Sequence, residues 1–185
     1  MRPQRNINGS CVRFRRSIAQ VVSVKYVLGF DPGISHWGLA VLNAETLEVV
    51  FLRSYSDGIY DFPKKQKESF RALERAVASA VRKYDPQIVC VEELPVGRGL
   101  AAVQQSIGMF LGLMFQAGGR RTYIRTTPTS WKKVVTGKGN TPKTKCRPHI
   151  TRHTGWTHAE KYRIRPDEYD AIGVAIYGCT ENKGY

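Results

Sequence analysis

KYVLGFDPGISHWGLAVLN, residues 25–43, holds two apolar runs separated by a turn. The first, KYVLGFD, is apolar and β-branched enough for a buried strand. Pro32-Gly33 stops it, because proline brings no amide hydrogen to a sheet ladder and glycine accepts turn geometry. The second, WGLAVLN, reads as a strand, and LEVVFLRSY (47–55) as a third, with Asn43 and Glu45 in the turn between them. The first strand ends on an acid, Asp31, a position that needs no charge for folding.

Residues 64–84 place Phe70, Leu73, Ala76, Val77, Ala80 and Val81 at three- and four-residue spacing. That spacing predicts an amphipathic helix with a basic polar face, closed by Asp85-Pro86. QIVCVEE (87–93) is another apolar strand that ends in acids. A helix follows over roughly 100–117, with Gly108 and Gly112 one turn apart for close packing, and then a short strand, TYIRT. Pro128, Gly137, Gly139, Pro142 and Pro148 divide residues 128–152 into short helices split by a flexible, positively charged loop. The last helix begins at Pro166. The order predicts an α/β fold: a mixed β-sheet of about five strands flanked on both faces by α-helices, with the carboxyl ends of strands as the site edge.

With 185 residues the chain fits one such domain, assigned to 25–185. Residues 1–24 carry Arg2, Arg5, Arg13, Arg15 and Arg16 without any acid and read as a basic, flexible, DNA-contacting arm, an organelle transit peptide being the alternative. A formal charge of +14 makes a polyanion the expected partner. No Asp or Glu occurs between Glu93 and Glu160, while Arg98, Lys132, Lys133, Lys138, Lys143 and Lys145 all fall there, which marks a phosphate-binding surface; an ordinary solvated basic face is the plainer alternative. No apolar run reaches the length of a membrane span, so no membrane partner and a soluble, intracellular protein are expected. Four cysteines without a CxxC pair predict reduced thiols.

Three elements present acids: Asp31 and Glu92 at strand ends, and Asp167 and Asp170 on one face of the last helix. Docking that helix beside the strand ends would bring four carboxylates together. Such a set repels itself unless hard divalent cations neutralise it, and magnesium is the obvious choice. Two ions about 3.5–4 Å apart would suit phosphodiester hydrolysis. Taken singly, each acid has a duller reading as a turn residue, a helix-dipole partner or a solvated charge.

At this point four segments resemble the RuvC family of Holliday-junction resolvases over about residues 25–180. GFDPGISHWGLAVL resembles the family's D-P-G-x-x-x-x-G opening, and VCVEE its second acidic motif. WKKVVTGKGNTPK resembles the loop V-K-x-x-V-x-G-x-G-x-x-x-K, and DEYDAIGVAIYG the D-x-x-D-A helix. The resemblance implies an RNase H-like fold with Asp31, Glu92, Asp167 and Asp170 as catalytic metal ligands and Mg2+ or Mn2+ as the ions. It puts Lys132 and Lys143 on DNA-engaging positions, and leaves Glu93 and Glu168 off the metal. It also implies a homodimer that nicks opposed strands of a four-way junction. Pro95 stands where the family has a base-stacking aromatic, so junction opening is expected to differ, and the substrate class is taken as branched DNA. A bacterial cytoplasm or nucleoid, or a virus-infected cell, is the expected location.

Other readings stay open on the residues alone. Cys146, His149, His153 and His158 have a loose zinc-like spacing that fits no standard finger. Trp131, Trp156 and Tyr162 could stack on unpaired bases or pack in the core. Gly33 and Gly38 could serve close backbone approach around Asp31, or a bare turn and a strand crossing. A strand ending in Asp-x-Gly also opens actin-like sugar kinases, which need far longer chains. An RNA or RNA–DNA nuclease on the same fold, and a branch-binding module without cleavage, are the competing functions.

Overall fold

The computed structural model of the chain describes residues 25–56, 64–93, 100–155 and 165–181. Five strands, β1 (Tyr26–Asp31), β2 (His36–Asn43), β3 (Val49–Ser56), β4 (Ile88–Glu92) and β5 (Thr122–Thr126), form one sheet in the order β3-β2-β1-β4-β5. β1 pairs antiparallel with β2, and β2 antiparallel with β3. β4 lies parallel to β1, and β5 parallel to β4. The helices are α1 (Lys64–Tyr84), α2 (Leu100–Gln116), α3 (Pro128–Thr136), α4 (Lys143–Thr154) and α5 (Pro166–Glu181).

Side chains alternate across a strand, so the sheet builds two cores. Leu28, Phe30, Leu39, Val41, Val89 and Val91 pack with Leu73, Val77 and Ala80 of α1 and Phe110 and Met114 of α2. On the other face Val27, Ala40, Leu42, Ile88 and Cys90 pack with Trp131, Val135, Cys146, Ile150 and the apolar residues of α5. The same alternation turns Asp31 and Glu92 toward α5. Cys90, Cys146 and Cys179 are buried thiols.

α5 lies hard against the middle of the sheet because two glycines let it. A Cβ on Gly29 would fall 2.3 Å from the Ala171 carbonyl oxygen, and one on Gly38 only 2.0 Å from the Asp167 carbonyl oxygen. Of the two readings open for Gly38, close backbone approach is the one the structure supports. At Gly33 the added Cβ would meet the His36 carbonyl oxygen at 1.9 Å, so this glycine serves the turn itself.

Three expectations need correction. Gly108 and Gly112 do not seat a neighbouring element: nothing among the described residues lies within 4 Å of where their side chains would begin. Pro148 does not interrupt α4, which runs on through it until Gly155 caps the helix at φ 62°. The loop between α3 and α4 is bonded to itself rather than loose. The Lys138 amide donates to the Thr136 hydroxyl (3.2 Å) and the Thr141 hydroxyl donates to the Lys138 carbonyl (2.8 Å).

Candidate active site

Each acid reaches the site edge through a local device. Asp31 ends β1, and the Ser106 hydroxyl of α2 donates to the Gly33 carbonyl (3.1 Å), holding the following turn from behind. Glu92 ends β4. α5 begins at Pro166, whose missing amide hydrogen costs nothing in a first turn. Glu168 reaches back to accept the Arg165 amide (3.1 Å) and also accepts the Ser54 hydroxyl of β3 (2.7 Å). That is half of a capping box, and it ties the start of α5 to the sheet. Asp167 and Asp170 follow on the face that meets β1 and β2.

The structure brings Asp31, Glu92 and Asp170 together in a nearly dry place, 9 %, 1 % and 2 % exposed, with Asp167 half-buried at its rim. Burial, then the charges of Glu92 and Asp170, holds the Asp31 carboxyl well above the usual carboxylate range. Burial and then the Asp170 charge push Glu92 up to about 7. Burial also raises Asp170, against the pull of Lys143. Carboxylates that disfavour one another's ionisation in a low-dielectric site are what a divalent cation relieves.

Two cations belong to the cluster. Lys143, the first residue of α4, pairs with Asp170. Burial alone would lower Lys143, but Asp170, Asp31 and Glu92 outweigh it and hold the ammonium at about 12. Lys132 stands over the Trp131 ring (5.7 Å) and lowers both Glu92 and Asp170. Lys133, Lys138 and Lys145 are exposed on α3, the loop and α4. Arg98, Pro95, Trp156, His158, Tyr162 and the arm 1–24 lie outside the described residues.

Glu93 and Glu168 do not join the cluster: Glu93 pairs with Arg125 at 2.9 Å on the surface, and Glu168 is the helix cap. Cys146 is buried in the α5-side core, while His153 bonds the Val135 carbonyl (3.0 Å). Trp131 is fully buried, so it packs rather than stacking on bases, and its indole donates to Glu92 Oε2 (3.1 Å). That hydrogen bond was not legible in the sequence, nor was Ser106 or the need for Gly29. All three depend on which elements meet across the sheet.

The donors are hard oxygens of the kind Mg2+ prefers, and the acids' mutual repulsion under burial fits a cationic guest. Among the described residues no three His, Cys, Asp or Glu side chains already close on a common point as ligands do. The backbone assembles the set, while Lys143 and Trp131 hold Asp170 and Glu92 individually.

A mixed sheet in this strand order, with acids ending its first and fourth strands beneath a helix that brings two more, is that of the RNase H-like α/β fold. A family model, crossover junction endodeoxyribonuclease RuvC, matches residues 27–177. The chain belongs to this family of Holliday-junction resolvases, which are hydrolases. It is 29 % identical over 156 residues to the RuvC of Corynebacterium diphtheriae, covering 82 % of this chain and 92 % of that one. It is 27 % identical to the RuvC of Rickettsia conorii, over 86 % of this chain and 99 % of that one. Among solved structures it resembles a Thermus thermophilus RuvC in complex with a Holliday junction substrate, with TM-score 0.71 at 24 % identity, over 86 % of this chain and 96 % of that one. It also resembles a yeast mitochondrial Holliday junction resolvase, with TM-score 0.50 at 16 % identity, over 86 % and 80 % of the two chains.

Proposed function

We propose that the chain cuts branched DNA, the four-way junction first, by hydrolysing phosphodiesters at a site where Asp31, Glu92, Asp167 and Asp170 hold two Mg2+ ions, with Mn2+ able to substitute. The observation that supports this most directly is the shared burial of Asp31, Glu92 and Asp170, each near enough to raise another's proton affinity. When bound, the ions supply an activated water and charge stabilisation at the leaving 3′-oxygen. The protein's own residues fix that chemistry in place. Gly29 and Gly38 set the depth of α5, Ser106 sets the turn after Asp31, and Lys143 meets negative charge gathering at the scissile phosphate. Lys132, Lys133, Lys138, Lys145 and Arg98 are proposed to grip the flanking phosphates, and the arm 1–24 to add sequence-independent ones.

The test is cleavage of labelled four-way junction, three-way junction, flap, linear duplex and RNA–DNA hybrid, each with Mg2+, Mn2+ or EDTA. Paired symmetric nicks in the junction, lost in EDTA, are expected. Preferential cutting of the hybrid would replace the substrate, and tight binding without product would leave a binding module. Lys143→Ala should slow junction cleavage about 10²-fold, on the scale of losing one preorganised charge contact to the transition state, with binding weakened only severalfold. Equal losses in rate and affinity would reduce Lys143 to an anchor.

A homodimer is part of the proposal, supported by the outward face of α2. Ala101, Gln104, Gln105, Gly108, Gly112 and Phe115 are exposed there without one charged side chain, and Phe115 is 67 % exposed. In so basic a chain an uncharged helix face with two glycines suits a second copy of itself, related by a two-fold axis. Gly108→Arg should convert the dimer to a monomer by light scattering with the melting temperature nearly unchanged, and paired nicks should become single ones. A variant that stays dimeric would move the interface elsewhere. No helix among the described residues is long and apolar enough to cross a membrane, and a DNA substrate places the work at a bacterial nucleoid or in a virus-infected cell.

A further inference from the structure

We propose that Trp131 is a positioning residue of the acid cluster: its buried indole N–H holds the Glu92 carboxylate in its working orientation, and its ring packs on the α5 backbone one turn from Asp170. This rests on the reading of the cluster as a divalent-metal site.

An indole N–H is a donor only, and a buried one must find an acceptor. Trp131, fully buried on α3, gives its N–H to Glu92 Oε2 at 3.1 Å. Glu92 ends β4 on a side chain with several rotatable bonds, so its carboxylate has many possible orientations. The indole pins one oxygen. The bond engages Oε2, so Oε1 is the oxygen that the indole does not hold.

The ring does a second job. A Cβ on Gly173 would lie 2.6 Å from Trp131 Cε3 and 2.7 Å from Cζ3, so the indole lies flush on the α5 backbone. Gly173 is three residues beyond Asp170, one turn along the same helix. One rigid side chain therefore touches the strand that supplies Glu92 and the helix that supplies Asp170.

The donor itself is well anchored. α3 is fixed at its start by Thr127, whose side chain accepts the Ser130 amide (3.2 Å), and at its end by Gly137 at φ 80°. Lys132, the next residue, acts electrostatically on both Glu92 and Asp170. Gly173 is the space that the ring requires.

The test separates donor from bulk. Trp131→Phe keeps a large ring and removes the N–H, while Trp131→Leu removes both. Mn2+ binding to the DNA-free protein is followed by electron paramagnetic resonance, and the Mg2+ half-saturation of junction cleavage is measured alongside. Partners that orient metal ligands are worth roughly 10–100-fold in metal affinity. Trp131→Phe should accordingly weaken Mn2+ binding and raise the Mg2+ half-saturation by about tenfold. KM for the junction should hold, and kcat should recover at high Mg2+.

In the metal-free protein the indole N–H resonance that disappears in Trp131→Phe should shift when Glu92→Ala removes its acceptor. Wild-type Mn2+ affinity and Mg2+ half-saturation in Trp131→Phe would overturn the proposal and make Trp131 a packing residue. A wild-type protein that binds no Mn2+ and needs no metal to cleave would overturn instead the metal-site reading on which it rests. Should Trp131→Leu fail to fold, Trp131→Phe alone decides.

Discussion

Asp31→Asn is expected to abolish strand cleavage, by at least ~10³-fold on the scale of lost transition-state charge stabilisation, while junction binding is kept or tightened and the metal-free protein becomes more stable. The three outcomes share one cause. Asp31 is buried beside Glu92 and Asp170, so its ionised form is costly until a cation sits among them. The amide keeps the shape and removes a charge, so it loses the proposed metal ligand and some repulsion toward phosphate together.

The same physics gives a pH signature. Glu92 is raised from the ordinary 4.5 to about 7, so the folded chain holds a proton that the unfolded chain gives up. The resulting stability is present below about pH 4.5 and is lost as pH rises through about 7. Thermal melts in EDTA should therefore show the wild type losing stability from pH 5 to 7.5. Mg2+ should restore more at pH 7.5 than at pH 5.5, and Asp31→Asn should lessen the slope. A flat wild-type profile, or a mutant that cleaves at the wild-type rate, would refute the cluster as described.

Why the acids could be read from sequence, and their supports could not, follows from how each is specified. Asp31 and Glu92 close apolar runs, and strand alternation alone puts both on the face shared with α5. Asp167 and Asp170 are three residues apart, which fixes their common helical face in any fold. The bounds of α1 were equally legible, because a helix that buries one stripe writes its period into the sequence. Trp131, Ser106 and Gly29 carry no such pattern. Their roles exist only once α3, α2 and α5 have been set on the sheet, and an indole N–H looks the same in a sequence whether it meets a core carbonyl or a carboxylate.

Gly108 and Gly112 have the spacing of a packed helix face, yet among the described residues nothing packs on it. Spacing reports that something can approach closely, not whether it belongs to the same molecule. Pro148 misleads for a different reason. It is the sixth of the twelve residues of α4 and removes one interior backbone bond, and packing of Cys146 and Ile150 carries the helix past it.

Gly38→Ala is the second large effect expected. Its added methyl would sit 2.0 Å from the Asp167 carbonyl oxygen and 3.1 Å from the Ala171 Cβ. The nearest atom is backbone, so no side chain can turn aside, and the first turn of α5 must move by more than 1 Å to reach ordinary contact. Overpacking of this kind costs about 1–3 kcal/mol. The catalytic loss should be the larger one, because the displaced turn carries Asp167 and Asp170, and misplacing reacting groups by about 1 Å can cost 10²-fold. Cleavage measured well below the melting temperature should fall about a hundredfold, with junction affinity little changed because the basic residues of α3 and α4 stay in place. Wild-type cleavage in this variant would mean that α5 need not lie so close to β2 for the acids to work. A loss of stability without that catalytic excess would assign Gly38 to packing alone. The expected excess would show that the glycine sets the distance between a strand acid and two helix acids, which makes it a determinant of the site although it has no functional group.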